Sequence, residues 1–157
     1  MNRSSLLIAA IVTALTAGLT FAAIPLLRNT LYYPYVVLDV GDVLRMYILN
    51  YGHAKKGTCE EKLSKLLGAI GEAGDSRRIV EKRCLEELDP HHLRLFSREP
   101  LDAPSARWSD GVMSYVSDKA DIALLACTES ERQTAQAPAS KRLHCYPPGV
   151  ERPGRSF

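Results

Sequence analysis

Leu6 to Leu27 are 22 consecutive uncharged residues flanked by Arg3 and Arg28, and they fix the surroundings in which the rest of the chain must fold. A helix rises about 1.5 Å per residue, so a segment of this length spans roughly 33 Å, enough to cross a hydrocarbon core of about 30 Å. Two readings compete. One is a single-pass transmembrane helix retained as a signal anchor. The other is a cleaved signal peptide, with the basic start Met1-Asn2-Arg3 and small residues around Thr20-Phe21-Ala22. A cleaved apolar core runs about 7–15 residues and then turns polar. This one stays apolar through Leu27, and Tyr32, Tyr33 and Tyr35 follow where amphipathic rings settle at headgroup depth. Residues 1–30 are therefore read as the membrane anchor, with the signal peptide as the alternative.

Four cysteines, Cys59, Cys84, Cys127 and Cys145, all lie beyond that segment, and none of their spacings forms a C-x-x-C pair. Without metal or redox spacing and downstream of an export signal, they are expected to form two disulfides in an oxidising compartment. This places the carboxy-terminal part in the periplasm or extracellular space. Pairing neighbours in sequence gives 59–84 and 127–145, one of three connectivities.

The charge balance removes one class of function. The 20 Lys and Arg of the chain include Arg3 and Arg28, which leaves the exported part with as many cations as its 18 acids. The net +2 therefore belongs to the anchor flanks, and nucleic acid is not an expected partner.

The apolar spacing in residues 31–137 predicts a mainly α fold, a small disulfide-stapled domain of about four helices. Val40, Val43, Leu44, Tyr47 and Tyr51 repeat at helical steps after Asp39 and stop at Gly52. Thr58 with Glu61 has capping-box spacing, followed by Leu63, Leu66, Leu67 and Ile70 on one face. Val80, Cys84 and Leu88 then recur every four residues, giving an αα-hairpin with the helix before it. Met113, Val116, Ala120, Ala123, Leu124 and Cys127 predict a last helix from Ser109 or Asp110. Residues 138–157 carry Pro138, Pro147, Pro148 and Pro153 and form a basic tail expected to be extended and mobile. Its final stretch, Gly149 to Phe157, is expected to be dispensable for folding.

Few residues suggest chemistry. Gly74-Asp75-Ser76 with Asp89-Pro90-His91-His92 resembles, over seven residues, the serine esterases named for the Gly-Asp-Ser motif. That resemblance implies a Ser76 nucleophile and a His92 base. In that family the serine follows a strand and the second block lies far downstream. Here the blocks are close together, Ser76 reads more simply as a helix N-cap, and Asp89 as a helix-end residue. His91 and His92 are adjacent and point about 100° apart on a helix, so they do not chelate as an i, i+4 pair does. No metal site is assigned to Asp89, His91, His92 and His144, and no cofactor is expected. Trp108, the sole tryptophan, and the tail cations Lys141, Arg142, Arg152 and Arg155 are the candidate partner contacts.

The resulting expectation is a non-enzymatic accessory protein, anchored in a membrane and facing another envelope protein. A cleaved, soluble exported inhibitor or immunity-type protein is the alternative, and a small hydrolase using Ser76 and His92 a further one. Nothing in the sequence sets the oligomeric state.

Overall fold

The computed structural model describes residues 30–71 and 77–153. Tyr33–Val40 (β1), Leu44–Asn50 (β2), Arg77–Leu85 (β3), Ser105–Trp108 (β4), Gly111–Val116 (β5) and His144–Tyr146 (β6) are strands. Lys56–Gly71 (α1), Pro90–Phe96 (α2) and Ala120–Thr134 (α3) are helices, and Ala139–Lys141 is a 3₁₀ turn. The strands form one six-stranded sheet in the order β3-β1-β2-β5-β4-β6, with every neighbouring pair antiparallel.

The mainly helical expectation is overturned. Among the described residues, helix and strand contents are about equal, and there are three helices rather than four. The predicted helix after Asp39 is the β1–β2 hairpin, turned by Gly41 at φ 58°, a left-handed conformation that glycine adopts without a Cβ clash. The stretch misleads because both faces of the strands are covered. Val36, Leu38, Leu44, Met46 and Ile48 face one core while Tyr35, Val37 and Leu49 face another, so polar alternation is lost. The second arm of the expected αα-hairpin is the edge strand β3. Residues four apart share a face in a strand as well as in a helix, so Val80 and Cys84 satisfy either period. The helix expected from Ser109 divides in two: Met113 and Val116 lie on β5, and only the part from Ala120 is helical. Gly111 is fixed by close approach, since a Cβ there would lie 2.7 Å from the Leu49 carbonyl oxygen and 2.7 Å from the Trp108 ring.

One sheet face packs against α1 and α3. Ile70 of α1 and Ala123 and Cys127 of α3 close on Val36, Leu38, Ile48, Ala106 and Tyr115. The other face packs against α2, whose Leu95 and Phe96 cover Tyr35, Val37, Leu49 and Val112. Both expected disulfides are present and no described cysteine is free: Cys59 joins Cys84 and Cys127 joins Cys145, with Cα separations of 6.1 and 5.6 Å. Each bridge ties an edge strand, β3 or β6, to a helix. No described helix is long and apolar enough to cross a membrane. The segment Leu6 to Leu27 lies outside the described residues.

The tail is not the free arm that its proline content suggests. His144–Tyr146 pairs with β4, and beyond it Gly149 N donates to Leu101 O and Arg152 N to Arg98 O. Replacing Cys127 and Cys145 together with alanine is expected to lower stability by about 3 kcal/mol, the chain-entropy value for a loop of this length. Urea denaturation of the oxidised protein and its variant checks this.

Candidate functional site

The covered face of α2 shows how the sheet builds polar structure. Asp89 caps the helix, accepting from His92 N at 2.9 Å, and Pro90 occupies the first turn, where a missing N–H costs nothing. His92 is buried edge-on against Tyr35, with ring centroids 4.8 Å apart. Burial pushes the Tyr35 hydroxyl up to about 12 and lowers the His92 pKa, which Asp89 partly offsets. The Asp89 carboxylate lies 3.0 Å from His92 Nδ1 but off the line of a hydrogen bond, so it supplies charge rather than an aligned acceptor. Gly74, Asp75 and Ser76 lie outside the described residues. Among those described, no three His, Cys, Asp or Glu side chains gather to hold a metal.

At the C-terminal end of α2, two arginines are buried together. Arg107 of β4 donates through Nη2 to Leu95 O and Ser97 O, and through Nη1 to Pro153 O. Arg152 donates to Leu95 O, Arg94 O and Glu99 O. Arg94 O, Leu95 O and Ser97 O belong to the C-terminal end of the helix, a position that cations favour, while Glu99 O and Pro153 O come from the chain beyond it. Yet every acceptor is neutral, and neither guanidinium reaches a carboxylate within ion-pairing distance among the described residues. Burial lowers the pKa of both, and the adjacent Arg107 charge helps bring Arg152 down to about 10. Arg107 Nε has no acceptor among the described residues.

Arg107 also forms part of a cavity of about 310 Å³, walled by Tyr51, Trp108, Arg142, His144 and Tyr146. Its lining contains no acid. A second, smaller hollow of about 180 Å³ shares Tyr51 and Ser109 with it and adds Asn50, His53, Lys62 and Asp110. Ser109 Oγ lies between two acceptors, the Asp110 Oδ1 carboxylate oxygen at 2.9 Å and the Ser140 carbonyl. Near the β1–β2 turn a third cavity, of about 370 Å³, holds Asp39, Arg45 and Arg78. There acids outnumber cations, since Asp42 and Asp118 also line it, and Asp39 takes both guanidiniums at 2.7 Å, which holds its carboxyl down at about 2. Of these three cavities, the one at Arg107 has cations and no acid in its lining, and it is the candidate site.

Of the predicted partner contacts, Trp108 and Arg142 meet in this cavity and Lys141 is exposed on the adjoining turn. Arg152 is interior, 2 % exposed, and holds the tail in place instead of reaching outward. Arg155 lies outside the described residues. Sequence reasoning missed Arg107, Tyr51 and Tyr146, which come from β4, from just after β2 and from β6; no motif marks them. No family model matches the chain, and neither curated proteins nor solved structures provide a match.

Two outcomes follow. Arg152→Met should cost about 2–3 kcal/mol, the scale of charge-assisted hydrogen bonds lost from buried carbonyls, and truncation before Gly149 should destabilise as well. Chemical denaturation checks both. His92 keeps a pKa below its ordinary 6.5 when folded, so the unfolded chain binds the proton first. Stability should fall as pH drops through that value toward the depressed one. Denaturation midpoints at about pH 7.5 and about pH 5.5 should separate more for the native protein than for His92→Gln.

Proposed function

We propose that the chain is a non-enzymatic accessory protein of the cell envelope. Residues 1–30 hold it at a membrane, and the disulfide-stapled domain meets another envelope protein outside the cytoplasm. The observation that carries this reading is the complete pairing of the four cysteines, each bridge tying an edge strand to a helix. Bridges of this kind persist in oxidising compartments and are rare where thiols are kept reduced. The apolar run Leu6 to Leu27 supplies the route to such a compartment. The partner surface is centred on Trp108, Lys141 and Arg142, where aromatic area and positive charge adjoin an open cavity.

The test is made on membranes of cells producing the full chain. The protein should remain with the membrane fraction, keep its first 27 residues by intact mass, and show no thiol to an alkylating reagent until reduced. One envelope protein should co-purify after detergent extraction and be lost with the Trp108→Ala, Arg142→Glu double variant. Recovery of a shortened chain in the soluble exported fraction would overturn the anchor. Four thiols labelled without reductant would overturn the compartment.

A further inference from the structure

We infer that the cavity walled by Arg107, Trp108, Arg142, His144 and Tyr146 is a binding site for an oxyanion, a carboxylate or phosphate, carried on a ring-sized apolar body. The inference rests on the envelope reading only for where the ligand is met. It deepens that reading by naming the chemistry that the surface recognises.

Three observations converge on it. The first is charge. Arg107 and Arg152 are buried side by side and bonded only to neutral carbonyl oxygens, whereas buried guanidiniums are ordinarily matched by a carboxylate. Among the described residues no carboxylate pairs directly with either guanidinium; Glu99 acts on Arg152 from beyond ion-pairing distance, so the charge behind the cavity wall is partly offset and not neutralised. An anion at the mouth feels it with less screening than it would at an open surface. The second is a flexible cation at the rim. Arg142 is exposed and uses Nε on Ala137 O, which leaves Nη1 and Nη2 to meet an oxyanion end-on. Glu131, 3.6 Å from His144 Nδ1, and Asp110, which accepts from Ser109, are the acids that touch the lining, and neither is part of the wall of this cavity.

The third is shape. The volume of about 310 Å³ is at the lower end of small-molecule sites, which run to about 300–1,000 Å³. Tyr51, Trp108 and Tyr146 line it with aromatic surface that can pack against a sugar or a six-membered ring, and Tyr51 is itself braced by stacking on Phe96 at 4.9 Å. Charge alone would suit any polyanion. Charge beside aromatic surface favours an acid group attached to a ring.

Trp108 is the only tryptophan in the chain and lines the cavity, so its fluorescence reports occupancy directly. The oxidised full-length protein in non-ionic detergent is titrated with cyclohexanecarboxylate, cyclohexyl phosphate, cyclohexanol and inorganic phosphate. Both ring anions should change the emission saturably, and the tighter of the two identifies the acid group. Cyclohexanol and inorganic phosphate should bind far more weakly. Arg142→Gln should weaken the ring anions by about tenfold or more, the loss of a charge-assisted hydrogen bond. Arg78→Gln, in the cavity at the other end of the sheet, should leave them unchanged. Equal binding of cyclohexanol, unaltered affinity in Arg142→Gln, or no saturable change with any anion would overturn the site. If no anion binds while partner retrieval still depends on Trp108 and Arg142, the ligand chemistry is wrong and the envelope reading stands. If the anions bind and no partner is retrieved, the converse holds.

Discussion

A six-stranded open sheet has two edges, and the rest of this molecule depends on how they are held. Unpaired edge strands expose rows of backbone N–H and C=O groups that invite pairing with other chains. β3 is almost wholly exposed along its length, and β6 is only three residues long. Neither buries enough apolar surface to secure itself. Each is instead joined by a disulfide to a helix that packs on the same sheet face, β3 to α1 through Cys59–Cys84 and β6 to α3 through Cys127–Cys145. The two bridges thus fasten the ends of the sheet to the core of which α1 and α3 are part. Charge completes the protection on β3, where Arg77, Arg78, Glu81, Lys82 and Arg83 make apolar edge-to-edge pairing unfavourable.

The opposite face relies on hydrogen bonds where the first relies on sulfur. α2 has only seven residues, too few to form alone, and its last carbonyls point into the protein. Arg107 reaches them from the sheet and Arg152 from the tail, so one knot of guanidiniums caps the helix and fastens the last described segment across it. The cost is two buried cations without a counter-ion among the described residues. That same surplus gives the neighbouring cavity its positive character, so a device that holds the fold also conditions the site.

What could be read from the sequence divides along physical lines. α1 and the part of α3 after Ala120 are legible because each keeps a solvated polar face opposite an apolar stripe. β1 and β2 are not, because a sheet covered on both faces loses the alternation that marks a strand, and β3 is not, because four-residue steps suit both periods. The cysteine pairing is right although the hairpin supposed to bring Cys59 and Cys84 together is not: the contact runs from helix to strand. The tail misleads for a different reason. Proline and charge exclude an apolar core, but a three-residue strand and one buried arginine hold a segment through hydrogen bonds that composition does not reveal. Trp108 and Arg142 stand out as a lone indole and a basic tail residue. Arg107, Tyr51 and Tyr146 do not, because only the sheet order sets β6 beside β4 and places Tyr51, just after β2, within reach of both.

That assembly ties the site to the disulfide. His144 and Tyr146 flank Cys145 on β6, and Arg142 precedes it by three residues, so much of one wall of the cavity is carried by the segment that the Cys127–Cys145 bridge holds down. β6 has only three paired positions with β4, and the other ties on this segment, Leu143 N on Thr134 Oγ1 and, further along, Gly149 N on Leu101 O and the bonds of Arg152, are all hydrogen bonds. The disulfide adds the covalent tie on that wall. Reduction of Cys127–Cys145 would therefore loosen the cavity wall and the sheet edge together, since one covalent bond holds both.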